Sequence, residues 1–404
     1  KIRIVIMCRI AVTKGEPWEY MTSGGIQTHT KEVGDNLLVH EWLPIQTDPE
    51  QVETPLIEWN SQKRDVTFGE WDDVTYTVLF NGELFGHDFE DDMALIGSFN
   101  TPQNLINYLS TEADGFWSFI IHDDEDDSYT AIVDPLSKKQ LYYKPGFGIS
   151  SELKCLVAPD EELDPLFIPT TIKFGYVHDD STPYKNIKRI MPNTYMKFNS
   201  DFTWHEVNEK YRDMSPKRLT DEEFISTMTK SVENRLAGHL PISMLLSGGI
   251  DSSIIRWHLN EIDANVQSYC VDNADDMMYA KMTDPNVKAI EVQPGDLDEA
   301  LEAMEMPVDL GSMVPQLALM KAVDTVVVLT GDGADEVFGG YRRNKVYDAT
   351  WSDVFHELPF YHLIRLDRMA SATTKEIRSP FLHLDIVRHG LALESEEKID
   401  KVWL

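Results

Sequence analysis

Apolar residues fall into two regimes along this chain. Up to about residue 205 they form short β-type runs: Ile2–Ile6, Thr75–Phe80, Phe116–His122, Tyr129–Val133, Gln140–Tyr143 and Thr194–Phe198. Turn signals separate them, among them Asn81-Gly82, the acidic stretch 123–127 and Asn199-Ser200-Asp201. Helical spacing appears near Thr101–Leu109 and Asp160–Leu166. The pattern predicts an α+β domain of stacked sheets over residues 1–205. Residues 206–219 are polar, carry Pro216 and read as a linker. Thr220-Asp221-Glu222-Glu223 then opens a helix as a capping box, with Phe224, Met228, Val232 and Leu236 along one face. Beyond it, strand candidates (Ile242–Leu246, Val266–Val271, Ala289–Val292, Thr325–Leu329) alternate with helical stretches (Ile250–Ile262, Leu297–Met304, Gln316–Val323). That alternation predicts an α/β domain with a parallel sheet over residues 220–404, binding its ligand at the carboxyl ends of strands.

Length and charge narrow the range of functions. A chain of 404 residues with 42% hydrophobic content has room for two cored domains. Asp and Glu number 69 against 36 Lys and Arg, a net charge of −33. Nucleic acid and anionic membranes would be repelled, so neither is expected as a partner. No apolar run approaches the ~20 residues that span a bilayer. Arg9 interrupts the apolar start, which reads as a buried strand and not as a signal peptide. Cys8, Cys155 and Cys270 are too far apart for a disulfide framework or a zinc site. A reduced, cytoplasmic protein is expected; its oligomeric state is open, a homodimer included.

The chemistry concentrates after the first strand candidate of the second half. Leu245-Leu246-Ser247-Gly248-Gly249-Ile250-Asp251-Ser252-Ser253 describes a strand, a glycine loop and a helix start. Glycines let backbone approach an anion, and N–H groups at a helix start favour negative charge. Ser247, Ser252 and Ser253 add hydroxyl donors. Asp251 would repel phosphates unless a cation such as Mg²⁺ lay between them. The string resembles the pyrophosphate loop of N-type ATP pyrophosphatases, which cleave ATP to AMP and pyrophosphate while adenylating a substrate. Two further strings resemble class B asparagine synthetases: Val326–Tyr341, with Thr330-Gly331-Asp332-Gly333-Ala334-Asp335-Glu336, and Leu363–Ala370 followed by Glu376–Leu382.

This resemblance implies ATP and Mg²⁺ as cofactors, and a small-molecule carboxylate with an amine or ammonia donor as substrates. It places the second domain in the ATP pyrophosphatase (adenine nucleotide α-hydrolase-like) fold. Ser247, Gly248, Gly249, Ser252 and Ser253 would hold pyrophosphate, and Asp251 and Asp335 the metal. Leu246, Val271, Thr330 and Gly331 would form the nucleoside slot. Leu246 and Val271 also read as ordinary core residues, and Asp335 as a loop cap. Asp332 matches a position near the incoming amine, where a carboxylate can accept a proton, and Asp367 one that supports it. Glu305-Met306-Pro307-Val308-Asp309 resembles a substrate-pocket segment. Relatives carry an essential lysine in a loop downstream of a helix resembling Asp400–Leu404. Either this sequence is shortened, the favoured expectation, or Lys398 or Lys401 substitutes, or the lysine's role is missing.

The first domain resembles class II glutamine amidotransferases, which implies an Ntn-hydrolase-like fold. Met7-Cys8-Arg9-Ile10-Ala11 matches their nucleophile segment, and Phe80-Asn81-Gly82-Glu83 their glutamine pocket. The family's cysteine uses its own free amine as base. Six residues precede Met7 here, so Cys8 would act only after processing. Trp42 stands where an arginine should fork onto the glutamine carboxylate, and Asn100 or Thr101 where an aspartate should meet its ammonium. A degenerate glutaminase domain is therefore expected, as in β-lactam synthetases. The function expected is an ATP-dependent, amide-forming ligase. A β-lactam-synthetase-like enzyme using another amine, and a non-catalytic nucleotide-binding regulator, are the alternatives.

Overall fold

A computed structural model describes residues 8–14, 27–42, 57–60, 75–89, 91–238, 241–307, 310–398, 401 and 403–404. The expected strand Ile2–Ile6, together with Met7, Val308 and Asp309, lies outside the described residues. The chain divides into two compact units, Lys1–Thr170 with Asp179–Asp213, and Thr171–His178 with Met214–Leu404. The boundary differs from the sequence expectation. Residues 206–209, read as linker, belong to strand His205–Glu209, which pairs along Thr194–Phe198. Polar side chains hid it, because an edge strand needs only backbone partners on one side. Likewise, no helix forms over 160–166; it begins at Phe167.

Among the described residues, the first unit contains two six-stranded sheets. Strands Thr75–Phe85, Asp114–Asp123 and Ser128–Val133 form the centre of one, all antiparallel. Cys8–Lys14 and Asn36–Trp42 pair antiparallel in the other. Side chains alternate between faces, and each face has its own destination. Leu79, Ile120, Tyr129 and Val133 meet Ile10, Val12 and Leu38 of the opposite sheet in one core. Val78, Phe80, Trp117, Phe119 and Ile132 point the other way, onto Leu95, Ile96, Leu105 and Leu109. The last two come from helix Pro102–Thr111, where Thr101 caps the start by accepting from Asn104 N. Helix, sheet and sheet therefore stack in three layers. Both faces of the central strands are buried, so they read as almost continuous apolar runs.

The second unit is built on a five-stranded sheet, all parallel, ordered Lys288–Ile290, Gln267–Val271, Ile242–Leu245, Val327–Leu329, Glu376–Arg378. The first strand in sequence is central, and successive strands are laid down on one side and then on the other. A crevice opens at such a switch point, between the carboxyl ends of Ile242–Leu245 and Val327–Leu329. Helix Asp221–Arg235 starts with the expected capping box, Thr220 Oγ1 accepting from Glu223 N and Glu223 Oε2 from Thr220 N. Phe224, Met228 and Val232 are buried on its inner face. Phe224 also helps seat the end of the chain. The Trp403 ring lies 4.5 Å from Phe224 and 4.4 Å from His389, and stacks on Phe338.

Candidate active site

The crevice holds a cavity of about 240 Å³. Leu246 and Ser247 reach it from the loop after Ile242–Leu245, and Asp251 and Ser252 from the first turn of helix Ile250–Glu261; Thr330, Gly331 and Asp332 reach it from the loop after Val327–Leu329, and Asp335 from helix Ala334–Phe338. Val271 completes the set from the end of Gln267–Val271. Nine of the residues expected from sequence therefore share one space. Gly248, Gly249 and Ser253 do not line it. The Ser253 hydroxyl lies 3.3 Å from Thr283 Oγ1 instead. Ser247 and Ser252 face each other at 3.3 Å, and Ser247 Oγ accepts from Gly249 N.

The loop glycine has a reason other than the one expected. Gly248 adopts φ +77, and a Cβ there would collide with the backbone of Tyr279 and Ala280. Those residues belong to helix Ala274–Thr283, which the sequence pattern did not reveal. Gly248 thus lets the phosphate-type loop press against that helix. Its helix N-cap, Asn273, accepts from Asp276 N, and Asp276 lines the cavity. An Asn-x-x-Asp signature after a strand was the available signal.

The electrostatics centre on one lysine. Lys401 Nζ lies 2.5 Å from Asp251 and 2.6 Å from Asp335 Oδ1, bridging carboxylates delivered by two different strand ends. Gly340 makes room for this bridge: a Cβ there would strike both Asp335 and Lys401. Lys398 is committed elsewhere, 2.9 Å from Asp348. Of the two lysines weighed from sequence, Lys401 is the one at the site, held there by the seated Trp403. Burial pushes the Asp251 carboxyl up to about 6; the Lys401 ammonium opposes this, while Asp335 and Asp332 add repulsion. Mg²⁺ favours one or two carboxylates plus substrate phosphates. Two carboxylates gathered about one cation fit that donor set.

Asp332 is fixed from two sides. Thr330 donates to its Oδ2, and Arg365 Nη2 lies 3.0 Å from Oδ1. Asp367, expected from the sequence to support Asp332, is not among the residues lining the cavity. Positions 365 and 367 of helix Leu363–Ser371 lie about 200° apart, so only one can face Asp332. Arg365 takes that place and orients the carboxylate.

In the first unit, Asn81, Gly82 and Glu83 lie on strand Thr75–Phe85, with Asn81 and Glu83 on the same face as Leu79. Both are buried, and Asn81 Oδ1 has no hydrogen-bond partner among the described residues. Cys8 begins its strand with Trp42 as register partner. Thr101, one candidate for the missing ammonium anchor, is engaged as a helix cap.

Comparison with known proteins follows the same division. Residues 223–359 match the asparagine synthase family, and residues 106–211 the glutamine amidotransferase domain family. The chain is 25% identical to asparagine synthetase (glutamine-hydrolyzing) 1 of Arabidopsis thaliana, over 99% of this chain and 69% of that protein. It is 27% identical to asparagine synthetase (glutamine-hydrolyzing) 3 of Bacillus subtilis, over 66% of this chain and 52% of that protein. The structure of the allosteric regulatory enzyme of purine biosynthesis aligns with 92% of this chain and 83% of its own, at 12% identity and a TM-score of 0.29. That score is too low to support an argument about fold.

Proposed function

Because the chain belongs to the asparagine synthetase superfamily and is an ATP-dependent ligase, we propose that its second unit adenylates a small carboxylate, aspartate or a relative, and transfers nitrogen to it. The carboxylate oxygen bonds to the α-phosphorus of ATP as the bond to the bridging oxygen breaks, releasing pyrophosphate. An amine nitrogen then attacks the acyl carbon, AMP leaves, and the proton shed by nitrogen passes to a base. The convergence of Asp251, Asp335 and Lys401 over the Ser247 loop is the observation that carries this reading.

Asp251 and Asp335 would hold Mg²⁺, which supplies charge neutralisation for the phosphates. On this reading Lys401 would turn from the carboxylates to the pyrophosphate as it separates, and Ser247 and Ser252 would donate to its oxygens. Leu246, Val271, Thr330 and Gly331 form the nucleoside slot on this reading. Asp332 is the nearest candidate to receive the proton, with Arg365 orienting it. The fold names that go with this function are the ATP pyrophosphatase fold for the second unit and the Ntn-hydrolase-like fold for the first. In the first unit we infer a glutaminase-like domain without glutaminase activity, because Trp42 offers no guanidinium to a substrate carboxylate. An ATP–pyrophosphate exchange screen across amino acids and small carboxylates tests the proposal. One carboxylate should stimulate exchange, with AMP as the nucleotide product. ADP formed in step with turnover would overturn it.

A further inference from the structure

Four carboxylates line the nucleotide-sized cavity, and three are answered by cations: Asp251 and Asp335 by Lys401, Asp332 by Arg365. The fourth, Asp276, is treated differently. Its Oδ2 accepts from Asn273 Nδ2 at 2.7 Å, while its own N–H is taken by Asn273 Oδ1 at 2.9 Å. This reciprocal pair fixes the rotamer with an uncharged partner and leaves further acceptor capacity, since a carboxylate offers about four lone-pair sites. Asp276 also lies close to Cys270, whose thiol is pushed up to about 11 by burial, then by Asp276 and Asp272. A negative group in a polyphosphate site, with no cation paired to it among the described residues, is favourable only beside a part of the ligand that donates hydrogen bonds.

Topology says which part. The phosphate-type loop follows the central strand Ile242–Leu245, and Asp276 follows the neighbouring parallel strand Gln267–Val271. In dinucleotide-binding parallel α/β sheets, an acid that follows the strand next to the phosphate loop hydrogen-bonds a ribose hydroxyl, and Asp276 holds the corresponding position here. Here Gly248 presses the loop onto the helix that carries Asp276, so the two are held in a fixed relation. We propose that Asp276 is a specificity-determining residue that accepts hydrogen bonds from the ribose hydroxyls of ATP. The proposal rests on the adenylating reading of this cavity.

The test measures binding of ATP, 2′,3′-dideoxy-ATP and inosine triphosphate, each with Mg²⁺, to the intact protein and to Asp276→Ala and Asp276→Asn. The unchanged protein should prefer ATP to the dideoxy nucleotide by about tenfold or more, the scale of one charge-assisted hydrogen bond. In Asp276→Ala that preference should vanish through weaker ATP binding, with dideoxy-ATP bound as before; the latter also reports a folded site. Asp276→Asn should fall between. A preference that survives in Asp276→Ala overturns the proposal while leaving the ligase reading intact. So does loss of discrimination against inosine triphosphate alone, which would assign the carboxylate to the base. Failure of the unchanged protein to bind any of the three overturns both.

Discussion

The two units place their polar chemistry differently with respect to their sheets. In the first, strands of six to eleven residues carry candidate pocket groups within the strand itself, as Asn81 and Glu83 do on Thr75–Phe85. In the second, strands of three to five residues are little more than supports, and the aspartates and serines lining the cavity all lie beyond their carboxyl ends. A group inside a sheet is fixed by pleat and register, so replacing one anchor leaves the rest in place with nothing to compensate. A group beyond a strand end can be rebuilt by any segment that reaches the crevice, as Lys401 does here. The second unit gathers a charge-matched site, whereas the first, on the proposed reading, keeps a pocket-like shell around altered anchors.

The largest effect should come from unbalancing the matched site. Asp251→Asn or Asp335→Asn should lower ATP–pyrophosphate exchange by about 10²–10³-fold, since on the proposed reading each removes a ligand from the Mg²⁺ that would neutralise the reacting phosphates. Urea unfolding should show the fold retained. Near-normal exchange in both variants would show that the pair holds no metal.

Two glycines separate scaffold from chemistry within the same unit. Gly248→Ala forces a side chain at φ +77 into the backbone of Tyr279 and Ala280. Left-handed strain of about 1–2 kcal/mol and overpacking of about 1–3 kcal/mol should both appear in the unfolding free energy. Gly340→Ala meets only side-chain atoms, of Asp335 and Lys401. Stability should change by about 1 kcal/mol or less while exchange drops sharply. Equal destabilisation by the two substitutions would remove the distinction.

The legibility of the sequence follows the same contrast. Alternation and turn signals located the long strands of the first unit closely: Thr194–Phe198 has the expected ends, and Ser128–Val133 differs by one residue. Its outer strand His205–Glu209 was missed because it alternates weakly and is held by backbone pairing. In the second unit the strings around Ser247 and Asp332 located the cavity, since loop chemistry at a strand end leaves a compact signature. Helix Ala274–Thr283 was not legible, and its two buried residues, Met277 and Ala280, explain why: so few inward positions give no stripe. Lys401 stood only as one alternative among three, because contact across 150 positions depends on how Trp403 packs.

A smaller effect is expected from pH. Asp134 of the first unit is 3% exposed, and burial pushes its carboxyl up to about 6, opposed by the backbone N–H groups of Lys139, Lys138 and Leu136. A folded value above the unfolded one means that the native state binds more protons in the window between. Stability should therefore fall as pH rises from about 4 to 6 and level off above, by up to about 3 kcal/mol for a shift of two units. The net charge of −33 acts in the same direction as carboxylates ionise. Asp134→Asn keeps an acceptor for the turn, and should show a flatter dependence of the urea midpoint between pH 4 and pH 6. An unchanged slope would mean that Asp134 is not the titrating group.

The smallest expected effect is none at all, and it bears most directly on the contrast between the units. Glutamine hydrolysis in this family needs charged groups at both ends of the substrate. Trp42, register partner of Cys8, provides no guanidinium, and Thr101 is spent on capping a helix. Losing a desolvated charge pair costs about 2–5 kcal/mol, more than tenfold in binding. Glutamine should therefore yield no glutamate above background, and Cys8→Ala should leave ammonia-dependent turnover unchanged. The two measurements must be read together. Unchanged ammonia-dependent turnover is also what an active glutaminase would show when its substrate is bypassed, so only the glutamine arm discriminates. Glutamate release abolished by Cys8→Ala would return the first unit to catalysis and show that its pocket tolerates an indole where a carboxylate must dock. Silence in that arm, with a working second unit, would mean that nitrogen reaches the acyl-adenylate by a route that does not pass through glutamine.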